Sequence, residues 1–276
     1  MTNKEFEEIN LELRSRSATK LDGTKPILLM LDGRSFSNFT KRFANPFDDV
    51  FIKLMNDTAI SLCREIGRAK FAYVQSDEIS IYIEPSDPEV STPWFDGRIQ
   101  KICSVAASIA SSVFTRLYLN HVYENDLVNF KNIFNSKLAI SFDCKAWNVP
   151  DLESVADWFI YRNKDCVRNS KQQFSQSFFK HKDLMGKNCE EQIKMVLDKF
   201  GKDWTALPNK YKNGRLVHKK SIDASNDYGD IYTRTFWEAD PIPEGFMVNE
   251  KLCKIMNLTE FTLGFNGELL YLQCIK

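Results

Sequence analysis

The apolar run Ile27-Leu28-Leu29-Met30-Leu31 stops abruptly at Asp32-Gly33-Arg34. The run reads as a buried strand, far short of the roughly 20 apolar residues a membrane span needs. A carboxylate, a glycine and a cation at its end fit either a surface turn or a site for metal and phosphate. Which of the two applies depends on what else in the chain meets Asp32.

The pattern downstream supplies candidates. Val50, Phe51, Leu54, Met55, Thr58, Ala59 and Leu62 recur at helical spacing, with Gly67 at the stop. Phe71, Tyr73, Ile79, Ile81 and Ile83 alternate as in strands, broken by the corner Gln75-Ser76-Asp77-Glu78. A Pro/Ser/Asp-rich loop runs from Pro85 to Pro93. A helix with the stripe Ile102, Ala106, Ile109 and Val113 follows. "KLAISFD" then reads as a strand ending at Asp143. The order β-α-β-β-α-β predicts an α/β (α+β) fold: a ferredoxin-like unit, the topology of polymerase palms and nucleotide cyclases, with a mostly antiparallel sheet and helices on one face.

After Pro150 the texture changes. Asp151–Lys180 reads as a long helix with Val155, Trp158, Phe159, Cys166 and Phe174 on its apolar side. A second helix ends at Gly201, and Asn213-Gly214 reads as a turn between short strands. Weak strand signals surround "YTRTFWE". The expected organisation is a palm-like catalytic domain over 1–150, opened by a short amphipathic helix, and a helical and short-strand extension over 151–276, packed with it as one unit.

Lys+Arg and Asp+Glu both number 37. Net charge therefore points to no nucleic-acid partner, and any phosphate-binding surface must be local. Seven scattered cysteines, an odd count without a C-x-x-C pair, argue against a disulfide framework and a zinc site. With no leader-like pattern at the start, these features predict a cytoplasmic protein. His121, His181 and His218 show no zinc spacing.

In a β-α-β-β unit, the end of the first strand faces the hairpin corner. Asp32 and Asp77 brought within a few Å repel unless a cation lies between them. Oxygen-only ligands favour Mg²⁺ or Mn²⁺, and a pair of such ions moves phosphoryl or nucleotidyl groups. Adjacent strand residues point to opposite faces, so Asp77 is the better direct ligand and Glu78 needs a turn or bulge to help. Gly33 then lets backbone approach the ligands, with its carbonyl a further metal donor. The turn Gly33–Ser37 offers amides to a triphosphate. Arg98 and Lys101, on one face of the next helix, reach toward phosphates. The segments Lys180–Lys187 and Lys210–Lys220 are candidates to grip RNA backbone.

"LDGRSFSNFTKRF" and "YVQSDEISIYI", with "WFDGRIQKICSVAASIAS", "SFDCKAWNVPDLESVADWFIYRNKDCVRNS" and "HKDLMGKN", resemble the tRNA-His guanylyltransferase family, closest to its branch of guanylyltransferase-like 3′–5′ polymerases. The resemblance covers most of residues 25–215. It implies a palm that activates an RNA 5′-monophosphate with ATP or GTP. The 3′-OH of an incoming nucleotide then attacks the activated end. It implies Asp32, Gly33 and Asp77 as ligands of two Mg²⁺ ions, with Glu78 as the neighbouring acid. It further implies Ser76, Arg98, Lys101 and the Gly33, Arg34, Ser35, Phe36 and Ser37 turn as triphosphate contacts. Arg168 and Asn169 match an activation-site or RNA contact, and His181, Lys182 and Lys187 lie in the family-like "HKDLMGK". Partners implied are tRNA, nucleoside triphosphates and three further copies of the chain in a homotetramer.

Three departures bear on specificity. Met30 and Asn45 stand where the family often carries basic residues. The stretch Val167–Gln173 lacks the histidine of the eukaryotic "HINNLYN". The missing histidine favours templated repair of 5′-truncated tRNA over addition of a single G to tRNA-His, whereas Met30 and Asn45 remove a cation near the phosphates and bear on activation and its nucleotide. A palm enzyme acting on free nucleotides and a non-catalytic RNA-binding palm remain the other readings.

Overall fold

The computed structural model describes residues 3–15, 18–136, 138–225, 231–244, 262–263 and 269–270. In chain order the elements are α1 (Asn3–Ser15), β1 (Ile27–Gly33), α2 (Phe36–Phe39), α3 (Asp49–Glu65), β2 (Ala69–Gln75), β3 (Glu78–Ile83), α4 (Ile99–Asn125), α5 (Leu127–Phe134), β4 (Phe142–Asn148), α6 (Leu152–Gln176), α7 (His181–Leu184), α8 (Cys189–Phe200), α9 (Asn209–Lys212), β5 (Arg215–Ser225), β6 (Ile231–Pro241), and a separate pair β7 (Thr262–Leu263) and β8 (Leu269–Leu270). Six strands form one antiparallel sheet in the order β4-β1-β3-β2-β5-β6. The first four carry the ferredoxin-like order that the sequence predicts.

Helix boundaries follow local chemistry. The Asp48 carboxylate accepts from the Phe51 amide at 3.0 Å and starts α3. Asp151 starts α6 the same way, through Ser154 N at 2.8 Å. Asn188 and Glu191 cap each other's backbone at the start of α8, and Gly201 (φ 64°) ends it in a left-handed turn.

Both faces of the sheet are covered. Leu29, Leu31, Ala72, Val74, Ile79, Ile81 and Ile83 face α3 and α4. Leu28, Phe71, Tyr73 and Tyr82 face the other way, against Val155, Ala156 and Phe159 of α6. Successive residues of β2 and β3 thus fill two different cores, which requires strands that are buried throughout. A third, smaller core joins Phe174 of α6 to Val196 of α8 and Trp204.

Three local expectations are corrected. The strand assigned to "KLAISFD" begins only at Phe142 and continues to Asn148, so Asp143 lies at its start. Asn213-Gly214 is no hairpin turn: it links α9 to an 11-residue β5 that pairs with β2. Gly214 has φ +79°, and a Cβ there would lie 2.6 Å from the Tyr73 hydroxyl. On α4 the buried stripe is Ile102, Ala106, Ala110, Phe114, Tyr118 and Val122, while Ile109 and Val113 are half-buried. This four-residue spacing turns one apolar stripe, with Ala106 and Ala110 at close approach, inward, so α4, though long and apolar enough by composition to cross a membrane, lies along β4 and β1.

This packing leaves no room for growth at Ala110, which is 0% exposed. Ala110→Leu should lower unfolding free energy by about 1–3 kcal/mol in urea denaturation. Ser108→Leu, on the exposed side of the same helix, should stay within about 0.5 kcal/mol of wild type.

Candidate active site

Register brings the carboxylates together. Asp32 is the cross-strand neighbour of Glu78 on β3 and of Asp143 on β4. The Gly33 N–H donates to the Asp77 carbonyl at 3.2 Å, which ties the β2–β3 corner to the end of β1. Ser76, at φ 45°, makes the corner tight. Asp32, Ser76, Asp77 and Glu78 line one cavity of about 890 Å³, within the usual range of ligand pockets. Its walls are the Ser37–Asp48 segment and α6, and Lys210, Tyr211 and Arg215 close it from β5's side.

The carboxylates perturb one another. Burial and then the charge of Asp32 push Asp77 up to about 6. Burial, followed by the charge of Asp143, raises Asp32, and Lys145 and Arg162 oppose that rise. Lys145 sits directly across from Met30 in the β1–β4 register, so a cation stands near Asp32 although position 30 is apolar.

Glu78 is different. Its carboxylate is held by Arg162 through two bonds, Nε to Oε1 at 2.7 Å and Nη2 to Oε2 at 2.5 Å. Both side chains are about nine-tenths buried. As the first residue of β3, Glu78 points to the α6 face with Ser80 and Tyr82. It is committed to an ion pair, which is why it serves the site as a fixed neighbour and not as a free ligand.

Among the described residues no group of three or more His, Cys, Asp or Glu side chains is set to hold a metal ion. The donor set that fits one is smaller: two raised carboxylates, Asp32 and Asp77, with the Gly33 carbonyl as a third candidate. Two carboxylates that repel when bare suit a hard cation that completes its shell from water and substrate phosphates, the habit of Mg²⁺.

The predicted phosphate contacts separate. Ser76 and Ser37 line the cavity. The Gly33 amide is bonded to Asp77, and the Arg34 amide to the Ser141 carbonyl at 2.9 Å. Ser35 and the Arg34 side chain are exposed. Phe36 turns inward to a cluster with Phe39, Phe114 and Phe142. A Cβ on Gly33 would lie 2.4 Å from that ring, so the glycine is demanded by packing. Arg98 and Lys101 are not at this end of the sheet. Arg98 bonds the Phe95 carbonyl, Lys101 lies over the Phe95 ring, and this corner packs beside Leu21 and Gly97. Asn148 and Pro26 hold the same region. It is the start of β1, about 20 Å from Asp32 at strand rise. Local spacing put both residues on one helix face; it could not show which way the helix runs along the sheet.

Of the RNA-contact candidates, Asn169 lines the cavity beside Gln172, Gln173 and Gln176. Arg168 is exposed and paired with Asp165. His181, Lys182 and Lys187 are exposed near α7, outside the cavity. The Lys210–Lys220 stretch is not one basic face: Lys212, Arg215 and Lys220 are buried, and Lys220 pairs with Glu238 and Asp240. Sequence reading missed Arg162, and it read Asp143 only as a strand end and Arg215 only as part of a basic stretch. Arg162 sits at helical spacing after Val155 and Phe159, on the buried side, and that is the only signal it gives.

A sequence profile described as tRNAHis guanylyltransferase matches residues 4–150. This chain belongs to that family. It is 26% identical over 234 residues to an uncharacterised protein of Acanthamoeba polyphaga mimivirus, covering 79% of this chain and 78% of the relative. It is 27% identical over 207 residues to the tRNA(His) guanylyltransferase of Saccharomyces cerevisiae, covering 70% and 82%. Among solved structures it resembles a bacterial tRNA(His) guanylyltransferase (Thg1)-like protein in complex with ATP, with TM-score 0.73 and 26% identity over 90% of this chain and 99% of the other. The same holds for a complex with GTP, at TM-score 0.71, 26% identity and 92% and 100% coverage. The family's named members are nucleotidyltransferases, and the carboxylate corner is the part of this member suited to such chemistry.

Two outcomes test this geometry. Burial raises the folded-state pKa of Asp77 above its unfolded value, so the fold loses stability as pH rises from about 4 to about 6, the loss is complete above about 6, and it is absent below about 4. Asp77→Asn should therefore raise the metal-free melting temperature at pH 7.5 by about 2–4 °C per kcal/mol relieved, a gain that vanishes by pH 4. Added Mg²⁺ should stabilise wild type and not the variant. Separately, Arg162→Ala strands the buried Glu78 charge and should cost about 3–5 kcal/mol in chemical denaturation, and Arg162→Met with Glu78→Gln should recover most of it.

Proposed function

We propose that this chain extends the 5′ end of tRNA in the 3′–5′ direction. In the first step a 5′-monophosphate oxygen attacks the α-phosphorus of ATP or GTP, and pyrophosphate leaves. In the second, the 3′-OH of an incoming nucleotide attacks the activated 5′-phosphorus, and the nucleoside monophosphate leaves. The observation that carries this reading is the meeting of Asp32 and Asp77 at one end of a cavity large enough for nucleotide phosphates.

Asp32, Asp77 and the Gly33 carbonyl would hold the Mg²⁺ ions. Bound there, the ions supply charge stabilisation to the pentavalent transition state and lower the pKa of the attacking oxygen. Ser37 and Ser76 offer hydroxyls to phosphate oxygens. Arg162 fixes Glu78 and keeps its charge from competing for the cation. Asn169, Gln172, Gln173 and Gln176 give the α6 wall amides that both donate and accept, the chemistry needed along sugars and bases.

Templated repair of 5′-truncated tRNA is favoured over addition of a single G to tRNA-His. Val167–Gln173 offers the cavity no histidine. Assembly as a homotetramer belongs to the same proposal.

The test is a 5′-end assay on a tRNA lacking its first nucleotide, with ATP, all four NTPs and Mg²⁺, and with the opposing template base varied. Addition that follows the template base is expected. Addition of G regardless would replace this reading with tRNA-His guanylylation, and no extension of any tRNA would reject it. Asp32→Ala should lower turnover about 10³-fold, the several kcal/mol that metal charge stabilisation contributes.

A further inference from the structure

Arg215 opens β5 opposite Val74, three residues before Asp77 on the neighbouring strand. It is 4% exposed. Its Nε donates to Asn56 Oδ1 at 3.0 Å, and its Nη2 has no hydrogen-bond partner. Among the described residues it makes no ion pair, and the acids that line a smaller pocket beside α3 with it are already matched. Asp49 is held by Lys210 at 2.7 Å, Asp57 by Lys53 at 2.5 Å and Glu238 by Lys220 at 2.7 Å. Burial without a counter-charge draws its pKa down to about 10. A buried, unmatched guanidinium costs several kcal/mol unless an anion reaches it.

The position tells which anion. Arg215 lines the catalytic cavity and also a second pocket of about 420 Å³ beside α3. Strand order places it on the far side of Asp77 from Asp32: β1, β3, β2, then β5. With strands about 4.8 Å apart, it lies on the order of 5–10 Å from the β2–β3 corner. It faces the cavity three strand positions away from β1, which carries Asp32 and Gly33. A joining reaction brings two phosphate-bearing reactants into one cavity.

We propose that Arg215 forms a second phosphate subsite, in which its unpartnered Nη2, with Lys210 at the rim, binds a terminal phosphate group. This inference rests on reading the cavity as one that handles phosphates. Two sources carry that chemistry: the 5′-phosphate of an RNA and the polyphosphate of a nucleotide. Planar guanidinium donors suit either, through charge-assisted hydrogen bonds.

The experiment uses the full chain in calorimetric titrations, with inorganic tripolyphosphate and with matched RNA oligonucleotides bearing a 5′-phosphate or a 5′-hydroxyl. Wild type is compared with Arg215→Met and Arg215→Lys. Arg215→Met should weaken binding of tripolyphosphate, of the 5′-phosphorylated RNA, or of both by about 10- to 100-fold, and leave the 5′-hydroxyl RNA unchanged. Loss confined to tripolyphosphate assigns the subsite to the nucleotide; loss confined to the phosphorylated RNA assigns it to the 5′ end. Arg215→Lys keeps a charge and should fall between. The ligand-free melting temperature of Arg215→Met should not fall, because an unmatched buried charge is removed. Unchanged affinities for both phosphates would overturn the proposal, and so would an Arg215→Met chain that melts well below wild type or does not fold. None of these readouts needs turnover. A chain that binds phosphate through Arg215 yet extends no RNA would reject the proposed function and leave this subsite standing.

Discussion

The hydrogen bond from the Gly33 amide to the Asp77 carbonyl joins two segments 44 residues apart in sequence, and the rest of the site depends on it. It forms because β1 and β3 pair in a register that ends with Asp32 opposite Glu78. The corner that leads into β3 is thereby carried against the end of β1. Phe36 seals the underside of this junction with its ring, and only a glycine at position 33 lets it do so. The cores on both faces hold the strands in that register, since a slip by one residue would turn each buried side chain into the wrong core. Two carboxylates are forced together at the expense of stability, a common trade at functional sites.

Helix α6 turns this corner into a cavity. It closes the second face of the sheet with Val155, Ala156 and Phe159, and one turn later sends Arg162 into Glu78. Further along, its polar side walls the cavity opposite the Ser37–Asp48 segment. Gln173 Nε2 bonds the Pro46 carbonyl, so the two walls touch. Buried charge divides accordingly. Glu78 is matched from within, whereas Asp32, Asp77 and Arg215 have no full match among the described side chains and point to cations and phosphates brought by the reactants.

Local patterns in the sequence disclosed the palm and singled out Asp32 and Asp77, which the fold brings to one corner. The apolar run into Asp32, the alternation around the Ser76–Glu78 corner and the helical spacing of α3 each reflect one element burying one face, which spacing reports directly. The extension was less legible. Asn213-Gly214 resembles a hairpin turn because turn chemistry is local, yet the glycine is there to let Tyr73 approach, a residue 141 positions earlier. Arg98 and Lys101 share a helix face as spacing predicts, but the direction of α4 along the sheet is a tertiary matter, and it takes them to the opposite end. The commitment of Glu78 to Arg162 likewise rests on a contact 84 residues long. Most residues beyond 244, Cys253 and Cys274 among them, lie outside the described residues.

The central claim is that Asp32 and Asp77 jointly hold divalent cations next to a nucleotide's phosphates. Anomalous diffraction from crystals grown with Mn²⁺ and ATP addresses it most directly. The account predicts Mn²⁺ peaks in contact with both carboxylates, with phosphate oxygens completing the shell. A nucleotide bound in the cavity with Mn²⁺ absent from the Asp32–Asp77 corner, or with the two side chains turned into separate environments, would contradict it.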